Sequence, residues 1–313
     1  MTQPLITQSA PILIAGPTAS GKSRLGLAIA ERVGGVIINA DSMQVYQELR
    51  VLTARPDADD EARAPHRLYG HVSGYEAYSV ARWVADTEIA LRETAAAGKR
   101  AIMVGGTGLY FKALFEGLSP IPAIPADIRA RWREEAAKVS AVALHDQLAT
   151  YDPAMAARIE PSDRQRVTRA LEVFDATGVS LDTWQKTPGR SSLAGVEPVR
   201  LEMSVLRADL HARCDARFDA MIAGGALDEV AALLQLGIDP DYPVMRALGV
   251  RPLADHLAGK LSLATAVDQA KAETRQYVKR QETWLTRNMV SWKAVVLNEN
   301  DDIGDRIDHL IDQ

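Results

Sequence analysis

Only one cysteine, Cys214, stands in the 313 residues of the chain. A single thiol excludes disulfides and zinc sites built from several cysteines, and it fits a reducing cytoplasm. Cys214 lies in a helix-like stretch and reads as a small packing residue. Apolar runs long enough to span a bilayer are also missing. The polar start, Met1 to Ala10, is not a signal peptide. A surplus of positive charge is absent: the formal net charge is -5, which argues against indiscriminate binding to polyanions. There is no internal repeat and no low-complexity tract. What remains is a soluble, cytosolic chain, long enough for one large core and a smaller satellite domain.

The first positive signal is an apolar strand, Ile12 to Ala15, that runs into G-x-x-x-x-G-K-S. Gly16, Pro17, Thr18, Ala19, Ser20, Gly21, Lys22 and Ser23 match the phosphate-cradling P-loop. Its glycines let the backbone turn sharply, so that N–H groups and the start of the next helix converge on one anion. Lys22 reaches the terminal phosphates, and the Ser23 hydroxyl is placed to ligate Mg2+. A plain Gly-rich turn with a capping serine explains the glycines, but not Lys and Ser together. The following helix, Ser23 to Val33, is apolar at Leu25, Leu27, Ala28 and Ile29, as packing on a sheet requires.

Further short apolar runs, Val36 to Asn39, Ala101 to Val104 and Leu201 to Leu206, alternate with helical stretches, the signature of a parallel sheet. The expected fold is α/β, a P-loop NTPase-like core with a central parallel sheet flanked by helices. Polar clusters follow the first three runs, and ligands in such sheets bind at the carboxyl ends of strands. The P-loop, Ala40 to Tyr46 and Gly105 to Tyr110 are therefore expected to share one crevice. A motor or GTPase needs a strand ending in a Mg2+-holding Asp, but Gly105-Gly106-Thr107-Gly108 stands there instead. The available carboxylate is Asp41, one strand over from the P-loop. It suits either Mg2+ or a proton leaving a nucleophile, so it does not by itself separate a kinase from a transferase.

From the Pro-rich hinge Ser119 to Pro125 onward the pattern changes. Residues 120–197 read as an all-helical insertion domain, with 1–119 and 198–313 forming the core. Its helices are expected at Asp127 to Val139, Ala141 to Thr150 and Asp163 to Ala176, the last with Val167, Leu171 and Phe174 as its apolar stripe. After the Leu201 strand the chain reads as helical again, ending in a long helix from about Ala264 to Asn288. Basic residues fall into three groups: Arg129, Arg131 and Arg133; Arg158, Arg164, Arg166 and Arg169; and Lys271, Arg275, Lys279, Arg280 and Arg287. One such group is ordinarily a solvated helix face. Three in a P-loop protein make an RNA-sized ligand plausible.

In order along nearly the whole chain, the P-loop, Asp41-Ser-Met-Gln-Val-Tyr46, Ala64-Pro-His-Arg-Leu68, Gly105-Gly-Thr-Gly-Leu-Tyr110, Asp163 with Arg164 to Glu172, and Thr274 to Gln281 with Thr283-Trp-Leu285 resemble the bacterial tRNA dimethylallyltransferases. The resemblance implies transfer of a dimethylallyl group from dimethylallyl diphosphate to N6 of adenosine 37 in the tRNA anticodon loop. The P-loop then holds a diphosphate that leaves, with Lys22 and Mg2+ at Ser23 stabilising its growing charge. Asp41 takes the adenine amine proton. A carboxylate is a weak base, so that transfer falls late, once the C–N bond has made the nitrogen acidic. Thr107 is implied to contact the RNA and to polarise the reacting region.

Arg217 matches the arginine directed at the diphosphate, and Arg213, one turn earlier, remains the other candidate. The implied tRNA contacts are Asp41, Ser42, Met43 and Gln44; Thr107; Arg129; Gln165, Arg166, Val167, Thr168 and Arg169; and Arg246, Ala247, Leu248, Gly249, Val250 and Arg251. Ser23 replaces the commoner Thr and keeps the hydroxyl. Val250 stands where many members carry Tyr, so a ring contact is absent there. No obligate protein partner is implied, and a monomer is the family expectation. The rivals are a P-loop kinase of a small molecule, a non-catalytic RNA-binding module, and an isopentenyltransferase acting on free adenine nucleotides.

Overall fold

The computed structural model describes residues 10–297 and 303–311; apart from Ala10, the polar start lies outside the described residues. Six strands form one sheet: β1 (Ile12–Ala15), β2 (Val36–Asn39), β3 (His66–Arg67), β4 (Ala101–Gly105), β5 (Val199–Met203) and β6 (Lys293–Val295). Their order is β3-β2-β4-β1-β5-β6, and every neighbouring pair is parallel. Ile12 lies opposite Ile102 on one side and Val199 on the other, and Val36 lies opposite Ala101.

The central strands are buried on both faces, which is why they read as unbroken apolar runs. Ile12 and Ile14 pack with Leu25 and Ile29 of the Lys22–Val33 helix on one side. Leu13 points the other way, among Trp83 and Leu91 of the Val80–Ala96 helix and Phe111. Helices thus cover both faces, as the P-loop NTPase-like class requires.

Three sequence expectations are corrected here. β4 lies between β1 and β2, so Asp41 sits two strands from the P-loop strand, not one. The fourth run pairs at Val199–Met203, ahead of the expected Leu201 to Leu206. Leu206 is 76% exposed and precedes the Arg207–Ala223 helix, so its hydrophobicity carries no strand pairing. The chain is also not purely helical beyond this strand, because β6 adds a three-residue edge. That is too short to show an alternation.

The chain divides into two compact units, one made of Met1–Phe115 with Ser192–Gln313 and one of Glu116–Ser191. The sequence places these boundaries at 119/120 and 197/198. Within the second unit the described residues contain helices and no strand. Ser140 and Asp163 accept the N–H of Ala143 and Arg166, each at 3.1 Å, and so cap the Ala141–Tyr151 and Arg164–Thr177 helices. Val167, Leu171 and Val173 are buried with Leu144, Leu148 and Trp132 in its own core. Phe174, expected in the stripe, is only partly buried.

Candidate active site

After β1 the chain turns through two residues in the left-handed region, Ala19 at φ 61° and Gly21 at φ 89°. Gly21 takes this conformation freely, whereas Ala19 is held there at a steric cost. Gly21 caps the Lys22–Val33 helix without a side-chain hydrogen bond. The Lys22 and Ser23 N–H groups at its start are therefore open to an anion. The Lys22 ammonium donates to the Pro17 carbonyl at 3.2 Å. Ser20 is fully buried, and its hydroxyl has no partner among the described residues.

Two cations meet this loop. Burial, above all, lowers the Lys22 pKa to about 8; Arg217 lowers it further, while Asp41 and Cys214 act in the opposite sense. Burial likewise pulls the Arg217 guanidinium below its ordinary value, opposed by Cys214 and Asp41. Arg217 donates to the Thr18 hydroxyl and so reaches the P-loop directly. Cys214, buried beside them, donates weakly to the Thr18 carbonyl at 3.9 Å.

The end of β2 positions the carboxylate. Asn39 is fully buried and serves three backbone groups: its Oδ1 accepts the Asp41 N–H at 2.8 Å, and its Nδ2 donates to the carbonyls of Asp41 at 2.9 Å and Leu68 at 3.0 Å. One Asp41 oxygen accepts the Met43 N–H at 2.9 Å, and the other carries no hydrogen bond among the described residues. Burial first, then Asp41, pushes the Tyr69, Tyr110 and Tyr277 phenols above their ordinary value.

The third loop is tied to the second. The Thr107 hydroxyl accepts the Ser42 N–H at 2.9 Å and donates to the Ser42 hydroxyl at 3.3 Å, while the Thr107 N–H donates to the Ala40 carbonyl at 3.2 Å. Asp41 and Thr107, separate in sequence, thus belong to one bonded assembly. Two residues of this assembly are given no role by the sequence: Asn39 reads as a strand end, and Gln281 enters only as the last residue of the Thr274 to Gln281 segment. Gln281 accepts the Thr18 N–H at 2.9 Å and donates to the Gly106 carbonyl at 2.9 Å.

Several of the implied RNA contacts are internal. The Gln44 amide nitrogen holds the carbonyls of Thr53 and Ala54 at 2.8 and 2.9 Å. Val167 and Thr168 are buried, and the Thr168 hydroxyl donates to the Arg164 carbonyl at 2.8 Å. Their side chains are corrected to core roles; Gln165, Arg166 and Arg169 keep solvent-accessible surface on that helix. Ala247, Gly249 and Val250 are buried as well, leaving Arg246 and Arg251 exposed and Leu248 half-buried.

The basic groups are thinned in the same way. Arg164 caps the carbonyls of Ala136 and Val139, Arg158 pairs with Asp182, Lys271 with Asp219, and Arg275 with Asp215. Arg129, Lys279, Arg280 and Arg287 are exposed and form no ion pair among the described residues.

The donor set at the P-loop fits Mg2+. The Ser23 hydroxyl is exposed at the first helical turn. Mg2+ ordinarily takes few protein oxygens and completes its shell with phosphate and water. Among the described residues no group of three His, Cys, Asp or Glu side chains offers a competing all-protein metal cage.

Fold and motif together define a P-loop α/β enzyme in which the phosphate-loop sequence and the Asp41 and Thr107 loops follow the ends of parallel strands of one sheet. The model of the family described as IPP transferase matches residues 44–288, and that described as isopentenyl transferase matches 10–74. The chain belongs to the IPP transferase family.

A tRNA dimethylallyltransferase of Parvibaculum lavamentivorans is 51% identical over 301 residues, covering 96% of this chain and 95% of that protein. That of Methylobacterium nodulans is 55% identical over 273 residues, covering 87% and 90%. Among solved structures, the tRNA isopentenylpyrophosphate transferase of Bacillus halodurans superposes with a TM-score of 0.69 at 31% identity, covering 97% of this chain and 95% of that one. A eukaryotic dimethylallyltransferase acting on tRNA gives 0.79 at 26% identity, covering 95% and 76%.

Proposed function

We propose that this enzyme transfers a dimethylallyl group from dimethylallyl diphosphate to N6 of adenosine 37 in the anticodon loop of tRNA, releasing diphosphate. One observation carries the reading: the P-loop, with Lys22 bonded to the Pro17 carbonyl and Arg217 to the Thr18 hydroxyl, is linked through Gln281 and Thr107 to the loop that carries Asp41. The allylic C–O bond breaks as the C–N bond forms. The electron pair leaves with the diphosphate, and the N6 proton passes to Asp41. The Lys22 and Arg217 side chains and the N–H groups of Lys22 and Ser23 stabilise the departing charge. The Ser23 hydroxyl would hold Mg2+, which when bound would further neutralise that charge.

Thr107 and the Asp41–Gln44 backbone form the acceptor side of the crevice. Arg129, Gln165, Arg166 and Arg169 on the insertion unit, and Arg246 and Arg251 on the core, supply RNA contacts. The target base leaves its stack most cheaply in a single-stranded loop. A kinase is less well served, because β4 beside the P-loop strand ends in Gly105 and is followed by Gly106 and Thr107, with no acid for a nucleotide-bound metal. The protein acts in the cytoplasm, as a monomer.

The test incubates the purified protein with Mg2+, dimethylallyl diphosphate and an anticodon stem-loop, and then weighs the RNA. A gain of one C5H8 unit on adenosine 37 is the expected result. An unchanged mass, with γ-phosphate transfer from ATP to a small molecule, moves the assignment to a kinase.

A further inference from the structure

Gln281 lies 263 residues from Thr18 and 175 from Gly106, yet one side-chain amide joins the two. It is 6% exposed, on the Leu263–Asn288 helix. Its oxygen takes the N–H of the donor loop, and its nitrogen serves the carbonyl of the loop that carries Thr107. A neutral amide is the side chain of this length that offers both a donor and an acceptor.

The surrounding backbone is shaped to this contact. A Cβ on residue 106 would lie 2.4 Å from the Gln281 nitrogen, so glycine there lets the amide reach the chain. One turn along the same helix, Trp284 fills the space beside Gly108, where a Cβ would come within 2.1 Å of its ring. Thr18 is held twice, by Gln281 at its N–H and by Arg217 at its hydroxyl. With its one proton given to Gln281, the Thr18 N–H is set apart from the donors that face an anion. From Gly106 the linkage continues through Thr107 to Ser42, next to Asp41.

We propose that Gln281 is a positioning residue for the transfer reaction, fixing the P-loop and its departing diphosphate in register with the Thr107–Asp41 side that presents the attacking nitrogen. The proposal rests on the transferase reading given above. Its consequence is kinetic, because displacement at carbon demands alignment of nucleophile and leaving group, and a 1 Å error costs on the order of a hundredfold in rate. Loss of Gln281 therefore falls on kcat rather than on RNA affinity.

The test compares wild type with Gln281→Met and Gln281→Glu in the RNA mass assay, with thermal midpoints measured alongside. Met fills nearly the same volume without either hydrogen bond, and the thermal midpoint checks that the fold is retained. The expected result is a kcat at least about tenfold lower with the RNA KM within about twofold. Glu keeps the acceptor for Thr18 but, when ionised, faces the Gly106 carbonyl without a proton. Its rate relative to wild type at the same pH is expected to recover as the pH falls and the carboxyl gains the proton that Gly106 accepts.

A Gln281→Met variant with kcat within twofold of an active wild type overturns the proposal alone. So does a Gln281→Glu ratio that stays flat with pH. A wild-type chain that leaves the RNA mass unchanged overturns the transferase reading, and the proposal with it.

Discussion

At the residue scale, Lys22 and Asp41 make separable predictions. The Lys22 ammonium is lowered to about pH 8 by burial, so the diphosphate-free protein loses this charge well before an ordinary lysine does. Only the protonated form attracts diphosphate strongly. Donor affinity is therefore expected to fall about tenfold per pH unit above pH 8, a dependence that Lys22→Met abolishes; calorimetry with inorganic diphosphate reads it directly. The stability effect has the opposite sign. Between about pH 8 and the ordinary lysine value the unfolded chain binds more protons than the folded one, so the Lys22 contribution to stability rises with pH across that window.

Asp41 acts at a different step. Asp41→Asn keeps the Met43 N–H contact at its oxygen but cannot accept the amine proton. A loss of at least about tenfold in kcat with substrate affinities retained is expected, and single-turnover kinetics separates it from a binding defect. An Asn variant as fast as wild type removes Asp41 from the role of base.

At the scale of elements, the ends of strands carry the site, and Asn39 shows how. Its side chain closes the turn between β2 and the Asp41 loop and steadies Leu68, which sits at φ 62°. Asn39→Ala leaves an N–H and two carbonyls without their partner in a buried turn, at about 1–3 kcal/mol for each group that water cannot reach. The expected outcome is roughly 2–4 kcal/mol lost in denaturant unfolding, and a kcat lowered as Asp41 loses its alignment. Unchanged stability would mean that the turn is held by other contacts.

The same turn explains what could be read from sequence. The P-loop is a local arrangement with its chemistry in consecutive residues, and β1 and β2 are runs buried on both faces, so spacing alone locates them. Asn39 and Gln281 act on groups brought near by pairing and packing, and a polar residue at a strand end or on a helix has no periodic mark. The Val80–Ala96 helix escapes the sequence reading for a related reason: it buries Thr87 and Thr94 along with Trp83, Ala90 and Leu91, which blurs its apolar stripe. The buried Val167 and Val250 show the converse, because membership of a contacting segment does not say which face a side chain takes.

At the scale of the whole molecule, a chain of net charge -5 has to hold a polyanion. The mean charge opposes RNA, so attraction depends on cations that the fold leaves unneutralised. Ion pairs with carboxylates of the same chain occupy Lys271, Arg275 and Arg158. Exposed Arg129, Lys279, Arg280 and Arg287 have no such partner among the described residues. Binding through free cations of this kind displaces counterions from the RNA, with a logarithmic salt slope of about -0.7 per phosphate contacted on a single strand. About four contacts give a slope near -3, so raising monovalent salt from about 50 to about 200 mM is expected to weaken stem-loop binding roughly 50-fold. Fluorescence anisotropy of a labelled stem-loop measures the slope. Replacing Arg280 and Arg287 by Glu is expected to flatten it by more than one unit, because charges that would have displaced counterions now repel the strand. A slope near zero would place recognition in base stacking and hydrogen bonding alone, and would return these arginines to the status of a solvated helix face.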